Sequence, residues 1–349
     1  MLSAPRTSVV IPAYNHERFI GEALASLQAQ TAGDFEVLVV DDGSSDATAA
    51  VAQAVAREDS RVRVLEQVNR GSHAAINRGI AESRGHWVAI LNSDDRYMPT
   101  RLERLHQAGA EGARFVVTDV RLIDESGREI DDPGHWWNRT MADFLARADE
   151  YGPVEGLMYG NFAASTSNFF FERSLADEIG PLRPLRRVLD WDWALRAALH
   201  APTAFRHLRG ERLLDYRLHG RNAILADPLR GTLEIHRVHR EVLRSLSVPR
   251  ALLASMQRNR RELRRSWRDL AVARVERFVQ EREQDVARLR AERESDLAQW
   301  NEARAQWNDE RSGLVSTIAT LRARLDRIEQ SIPWRALGTL KRIVRPGGR

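Results

Sequence analysis

Two short apolar runs in the first hundred residues each end in a pair of acids, and no other feature constrains the chain as much. Residues 35–40 lead into Asp41-Asp42-Gly43-Ser44-Ser45-Asp46, and residues 87–91 lead into Asn92-Ser93-Asp94-Asp95. Continuous apolar runs of this length suit parallel strands covered on both faces. Open α/β sheets bind ligands outside the carboxyl ends of such strands, so two acid-bearing ends mark a binding edge. One acidic turn alone is ordinarily a turn and a helix cap, and Ser44, Ser45 and Asp46 are read that way.

The surrounding pattern agrees. Strands are expected at 7–11 and 62–66, and helices at 17–30, 47–57 and 74–83; Phe19, Ile20, Ala23, Leu24 and Leu27 repeat at helical spacing. The alternation predicts βαβ units, hence an α/β, Rossmann-like fold with a mostly parallel central sheet. From 115 to 215 the pattern loosens into mixed α+β, broken by Gly127, Pro133, Gly152, Gly180, Pro181 and Pro184. After Val248-Pro249 charged and apolar residues repeat, and Leu314, Ile318, Leu321, Leu325, Ile328 and Ile332 alternate spacings of four and three, a heptad seam. The expected organisation is 1–240 (a binding half, 1–119, and an acceptor half, 120–240), a helical coiled-coil region at 250–332, and a basic amphipathic stretch at 333–349.

With no cysteine, any metal must rest on carboxylate or imidazole. Of 53 basic residues only Lys341 is lysine, and the tail's arginines interleave with Glu and Asp, which reads as a solvated helix surface and not as a nucleic-acid site. No apolar run reaches the ~18 residues of a spanning helix, and the run at 8–11 is too short for a signal-peptide core. These features predict a cytoplasmic protein. Trp334, Leu337, Leu340 and the neighbouring Arg and Lys predict a peripheral contact with an anionic membrane surface, the inner face of the cell membrane. The heptad seam predicts pairing, as a homo-oligomer or with a pathway enzyme.

Several segments, in order, resemble family 2 glycosyltransferases of the GT-A fold. They are Ser8-Val9-Val10-Ile11-Pro12-Ala13-Tyr14-Asn15; Val39-Val40-Asp41-Asp42-Gly43-Ser44-Ser45-Asp46; Asn69-Arg70-Gly71 with Ala74-Ala75-Ile76-Asn77; and Asn92-Ser93-Asp94-Asp95. Further on come Gly180-Pro181-Leu182 with Leu189-Asp190-Trp191-Asp192, and Tyr216-Arg217-Leu218-His219-Gly220-Arg221-Asn222. The resemblance implies inverting transfer of a sugar from a nucleotide-diphosphate donor to a glycan or lipid-linked acceptor, in cell-surface polysaccharide or glycolipid assembly.

The same resemblance implies the site. Pro12, Ala13, Tyr14, Asp42, Asn69, Arg70, Gly71, Asn77, Asp94 and Arg221 bind the nucleotide sugar, with Asp42 accepting from the base and Asp94 near the ribose. Asp95 and His219 hold Mg²⁺ or Mn²⁺, and Asp190 is the catalytic base. Two departures stand out: Asn92 occupies a position where many relatives have Asp, so it is not assigned to the metal, and Leu189 replaces a Glu.

The residue types suit this chemistry. A carboxylate-held cation offsets diphosphate charge, and a base near the acceptor hydroxyl takes its proton as it attacks. Asp192 is the rival base, and Asp190 also fits as the N-cap of a helix at 191–200. Trp136, Trp137 and Trp193 are candidate platforms for an acceptor sugar, with core packing the alternative for Trp193. Two other readings remain open. A nucleotidyltransferase is disfavoured because Pro12-Ala13-Tyr14-Asn15 is not a Gly-rich basic loop, and a coiled-coil scaffold with a degenerate transferase domain leaves the ordered acidic loops unexplained.

Overall fold

The computed structural model describes residues 4–220, then 234, 235, 237–239, 241 and 280, and the backbone of 297–330 with the side chains of 306–324. Arg221, the stretch 333–349 and nearly all of 250–296 lie outside the described residues. The chain divides into two units, 1–261 and 262–349.

In the first unit, β1 (Thr7–Ala13), β2 (Phe35–Asp41), β3 (Val62–Glu66) and β4 (Trp87–Ile90) alternate with α1 (Ile20–Gln28), α2 (Thr48–Glu58) and α3 (Ser72–Glu82). All four strands pair in parallel, and every residue of β1, β2 and β4 is buried. Burial on both faces is why these strands read as largely apolar runs instead of alternating ones, the buried Ser8 of β1 donating to the buried Glu36 of β2 at 2.7 Å. Helix α3 lies close on β1: a Cβ added at Gly79 would sit 2.2 Å from Val10 Cγ1, so only glycine permits the approach.

The sheet then changes character. It has eight strands, in the order β3-β2-β1-β4-β7-β6-β8-β5, where β5 is Arg96–Tyr97, β6 Phe115–Ile123, β7 Phe170–Glu172 and β8 Phe205–Arg217. β7 inserts antiparallel between β4 and β6, and β5 runs antiparallel to β8. The expected mostly parallel sheet is therefore parallel in its first half and mixed in its second. Helix α4 (Arg101–Ala110) precedes β6. Between β6 and β8 the chain also forms α5 (Trp136–Tyr151), α6 (Pro153–Tyr159), a 3₁₀ turn at Thr166–Asn168, α7 (Arg173–Ile179) and α8 (Leu189–His200). The core runs across both halves: Trp87 stacks on Phe170 at 4.7 Å, and Phe115, Phe169 and Phe171 surround Trp193.

The long β8 slips register against β6 between Thr118 and Val120, and Asp119 holds the slip by accepting from Gly210 N at 2.8 Å. Past this bulge the strand lies beside β5, where buried Asp215 pairs with Arg96 and Arg121. The end of β8 is thereby carried to the loop that follows β4.

In the second unit, Leu297–Gln330 is one helix. Along it Trp307, Leu314, Ile318 and Leu321 are half-buried while the other described side chains of 306–324 are exposed; the last three are positions of the heptad pattern and Trp307 lies seven residues before Leu314. Among the described residues, no helix is long and apolar enough to cross a membrane.

Candidate active site

The carboxyl ends of β1, β2 and β4 share one edge. Asp42 N donates to Ala13 O at 2.8 Å, and Leu91 N donates to Val10 O at 3.0 Å. The turn after β1 is tied to the turn after β2: Asn15, at φ 53°, accepts from Ser45 N at 2.8 Å and donates its own N–H to Ser44 Oγ at 3.0 Å. Pro12 and Ala13 are buried behind this edge and Tyr14 is exposed.

The two acids of the first loop divide their work. Both Asp42 oxygens are occupied within the protein, accepting from Gln67 Nε2 (2.8 Å), Arg70 N (2.9 Å) and Gly71 N (2.8 Å). Asp42, expected to accept from a base, also fastens the 67–71 loop, and Gly71 at φ 90° turns that loop into α3. Its neighbour Asp41 is buried, with Oδ2 accepting from Ser44 N at 3.0 Å and no partner for Oδ1 among the described residues. Asn69 and Arg70 are exposed on the fastened loop, and Gly43 packs so closely that a Cβ there would lie 3.0 Å from Asn69 N. Asn77, expected at the donor, clamps Leu182 with both ends of its amide, at 2.8 and 2.9 Å.

The second acidic loop divides its work in the same way. Asp95 is buried; its Oδ2 accepts from Ser167 Oγ at 2.5 Å and its Oδ1 from Arg217 N at 2.8 Å. Burial and the adjacent Asp94 charge push its carboxyl well above the ordinary range against those two donors. Each oxygen of this expected cation ligand thus accepts one hydrogen bond from within the protein. Asp94 is the residue aimed outward, with Oδ2 at 3.0 Å from His219 Nε2. Burial would raise Asp94, but the His219 hydrogen bond and the adjacent imidazoles of His16 and His219 hold it below the usual value. Asn92 accepts from Thr166 Oγ1 at 2.9 Å and donates to Ser165 Oγ at 3.0 Å, which ties this loop to the 165–167 turn.

His16, Asp94 and His219 each bring one ligand atom within 4.8 Å of the others, the one such group among the described residues. Two imidazole nitrogens and a carboxylate oxygen at this spacing fit a single divalent cation. The cluster is held by residues that the sequence did not single out. Arg217, fully buried, donates from Nε to Asp94 O at 2.8 Å and from a terminal nitrogen to Glu22 at 2.6 Å, and it lies over Phe19. Nothing in its sequence context separates Arg217 from the many solvated arginines. His16 follows Asn15 at the end of the first strand, and that position was its only signal.

Asp190 sits in the first turn of α8, whose N-cap is Val188, so its role is not that of the cap. Its Oδ1 accepts from Trp191 N at 2.8 Å and its Oδ2 from Asn161 Nδ2 at 2.9 Å. Burial outweighs both hydrogen bonds and raises the carboxyl to about 6. Asp192, the rival, is wholly buried and paired with Arg183 and Arg196, which leaves it structural. Burial, then the charges of Asp95, Asp94 and Asp190, push the Tyr216 phenol well above its ordinary value. Trp137 stacks on Tyr216 and is buried, and Trp193 is sealed in the core with Nε1 donating to Gly180 O, so neither offers a face to an acceptor.

The eight-stranded mixed α/β sheet, with its polar loops at the carboxyl edge of the parallel half, is a GT-A-like fold. Residues 8–180 match the profile of Glycosyl transferase family 2, and through this domain the chain belongs to that family. It is 41% identical over 128 residues to the succinoglycan biosynthesis protein ExoO of Rhizobium meliloti, covering 36% of each chain. Its fold is similar to that of S. aureus TarS 1–349 in complex with UDP-GlcNAc (TM-score 0.55, 20% identity, 72% of this chain and 70% of that one). It is also similar to that of the mannosyltransferase PcManGT from Pyrobaculum calidifontis in complex with GDP-Man and Mn²⁺ (TM-score 0.54, 17% identity, 97% and 84%). The chain spans about half the length, or less, of curated relatives it matches: 53% in one and 36% in ExoO.

Proposed function

We propose that the chain is an inverting glycosyltransferase that moves a sugar from a nucleotide-diphosphate donor to a hydroxyl of a glycan or lipid-linked acceptor, in polysaccharide or glycolipid assembly. The donor nucleotide lies along the β1 and β2 edge, against Pro12, Ala13, Tyr14 and the Asn69-Arg70-Gly71 loop. Asp94 and His219 hold a divalent cation, Mg²⁺ or Mn²⁺, with Asp95 fixing the loop from beneath. When bound, that cation supplies positive charge to the diphosphate leaving group.

Asp190 is the base. The acceptor oxygen attacks the anomeric carbon, its proton passes to Asp190, and the bond to the diphosphate oxygen breaks on the opposite side, so the configuration inverts. A carboxyl raised to about 6 is matched to this task near neutral pH, being ionised yet more basic than an ordinary Asp. One observation carries the proposal: Asp94 and His219, from distant parts of the chain, meet at 3.0 Å beside His16 as one cation-sized group, and the charges of Asp94 and Asp190 both act on the Tyr216 phenol. The named ligands of the two structural neighbours, UDP-GlcNAc and GDP-Man with Mn²⁺, and the polysaccharide in ExoO's name support the donor and acceptor classes.

The test is a panel of UDP-, GDP- and dTDP-sugars incubated with Mn²⁺, scored for donor consumption with and without chelator. Turnover of one donor is expected, lost with chelator and in Asp94→Ala and Asp190→Asn. Undiminished transfer by both variants would end the assignment.

A further inference from the structure

We propose that His16 is a third protein ligand of the cation, so that the site is a His-Asp-His set that binds Mn²⁺ without nucleotide and prefers it to Mg²⁺. The inference rests on the cation reading above and goes beyond it, because the sequence assigned only an acid and His219 to the metal. Three observations carry it.

The first is spacing. Ligands at about 2.1 Å from a common ion in octahedral geometry lie roughly 3 Å apart when adjacent and roughly 4.2 Å apart when opposite. Asp94 Oδ2 and His219 Nε2 are 3.0 Å apart, at the adjacent distance, and the His16 nitrogen falls within the 4.8 Å that encloses all three ligand atoms. The His16 and His219 rings meet edge to face with centroids 5.7 Å apart, an arrangement in which two imidazoles converge without stacking.

The second is anchoring. His16 Nδ1 lies 2.8 Å from Ser93 Oγ, a buried hydroxyl in the same loop as Asp94. A hydrogen bond at one ring nitrogen fixes the tautomer and orientation in which the other acts as ligand, as is general for metal-bound histidines. The backbone is held as well: His16 N donates to Thr48 Oγ1 at 2.8 Å, and His16 O accepts from Phe19 N and Ile20 N at 3.0 Å. Ser93 therefore acts as a positioning residue for His16.

The third is chemistry. Mn²⁺ shares the oxygen preference of Mg²⁺ but, as a transition cation, accepts imidazole nitrogen more readily, whereas Mg²⁺ keeps several waters and takes oxygen ligands. Two nitrogens among three protein ligands tilt the site towards Mn²⁺. A site built from three fixed ligands also has no need of phosphate oxygens to capture its ion.

The experiment is Mn²⁺ binding to the full-length protein without nucleotide, followed by the electron-spin signal of free Mn²⁺ and by spin-echo modulation from coordinated imidazole nitrogen. Wild type is expected to bind one Mn²⁺ with modulation from two imidazoles, and Mg²⁺ more weakly. His16→Ala is expected to weaken Mn²⁺ about 10- to 100-fold and to lose one imidazole, with a smaller change for Mg²⁺; Ser93→Ala is expected to weaken Mn²⁺ less. Circular dichroism and melting of each variant confirm that it is folded, and the nitrogen count of residual Mn²⁺ reads His16 directly even in a weakened variant. Single-imidazole modulation in wild type, or affinity in His16→Ala within twofold of wild type, overturns the three-ligand site while leaving the Asp94–His219 cation intact. Mn²⁺ that binds wild type only when UDP or GDP is added does the same. Mn²⁺ binding unaffected by Asp94→Ala with or without nucleotide sinks the underlying cation reading instead.

Discussion

Replacing Asp190 with Asn is expected to abolish transfer and to stabilise the protein. Burial raises this carboxyl from 3.8 to about 6, so its ionised form is disfavoured in the folded state. At about 1.4 kcal/mol per tenfold change in proton affinity, ionised Asp190 costs about 3 kcal/mol at pH 7.5. The sign follows from proton counts. Between pH 3.8 and 6 the folded state holds more protons at this site than the unfolded one, so stability falls as pH rises through that window. The penalty is complete above about pH 6 and absent below pH 3.8.

An Asn side chain removes the charge while keeping the acceptor for Trp191 N. Asn161 Oδ1, which is buried with no hydrogen-bond partner among the described residues, can accept from the new amide once the Asn161 side chain flips. For a unit of 261 residues the melting temperature should rise by about 5–10 °C at pH 7.5. The gain should shrink towards zero as the pH is lowered towards 4. Loss of the base should cut turnover by about 10²- to 10⁴-fold. Paired calorimetry and donor-turnover measurements across pH 4–8 make the check. A variant that melts lower than wild type at pH 7.5, or whose gain is independent of pH, refutes the account of the carboxyl's environment; one that turns over normally refutes its role.

Wild-type turnover should rise with pH along a limb centred near 6, and that limb should be missing from the residual rate of Asp190→Asn; a pH–rate series on both proteins reads it. Asp95→Ala should lower the urea midpoint by the equivalent of about 2–4 kcal/mol, since it strands a buried Ser167 hydroxyl and the Arg217 N–H, whereas Asp94→Ala should leave the midpoint within about 1 kcal/mol while abolishing cation binding. Gly43→Ala should weaken donor affinity and cost about 1–3 kcal/mol, because φ 73° strains an L residue and the new Cβ meets the 67–69 backbone; calorimetric titration with the donor and a melting curve test both. Ile318→Glu on the half-buried stripe of Leu297–Gln330 should reduce the mass seen by light scattering if that helix pairs, and unchanged mass would remove the pairing expectation.

Local sequence determined where the strands and helices of the first hundred residues fall and at which sheet edge the chemistry sits. Burial on both faces forces β1, β2 and β4 to be apolar runs, and turn chemistry forces polar residues after them, so both are written in consecutive residues. Which acid of each pair does which task was not legible, because Asp41 and Asp42, like Asp94 and Asp95, are chemically identical until donors arrive from elsewhere in the chain. Asp42 is claimed by Gln67, Arg70 and Gly71, and Asp95 by Ser167 and Arg217, partners 25 to 122 residues away. Asp192 likewise became structural through Arg183 and Arg196, and Trp193 through the phenylalanines around it, while Asn77 is tied to Leu182. His16 reaches the cluster only because parallel pairing of β1 with β4 places their ends together. The sequence encodes residue type and period, both local properties; the division of labour among like side chains depends on desolvation and long-range hydrogen bonds, which exist only once the sheet has formed.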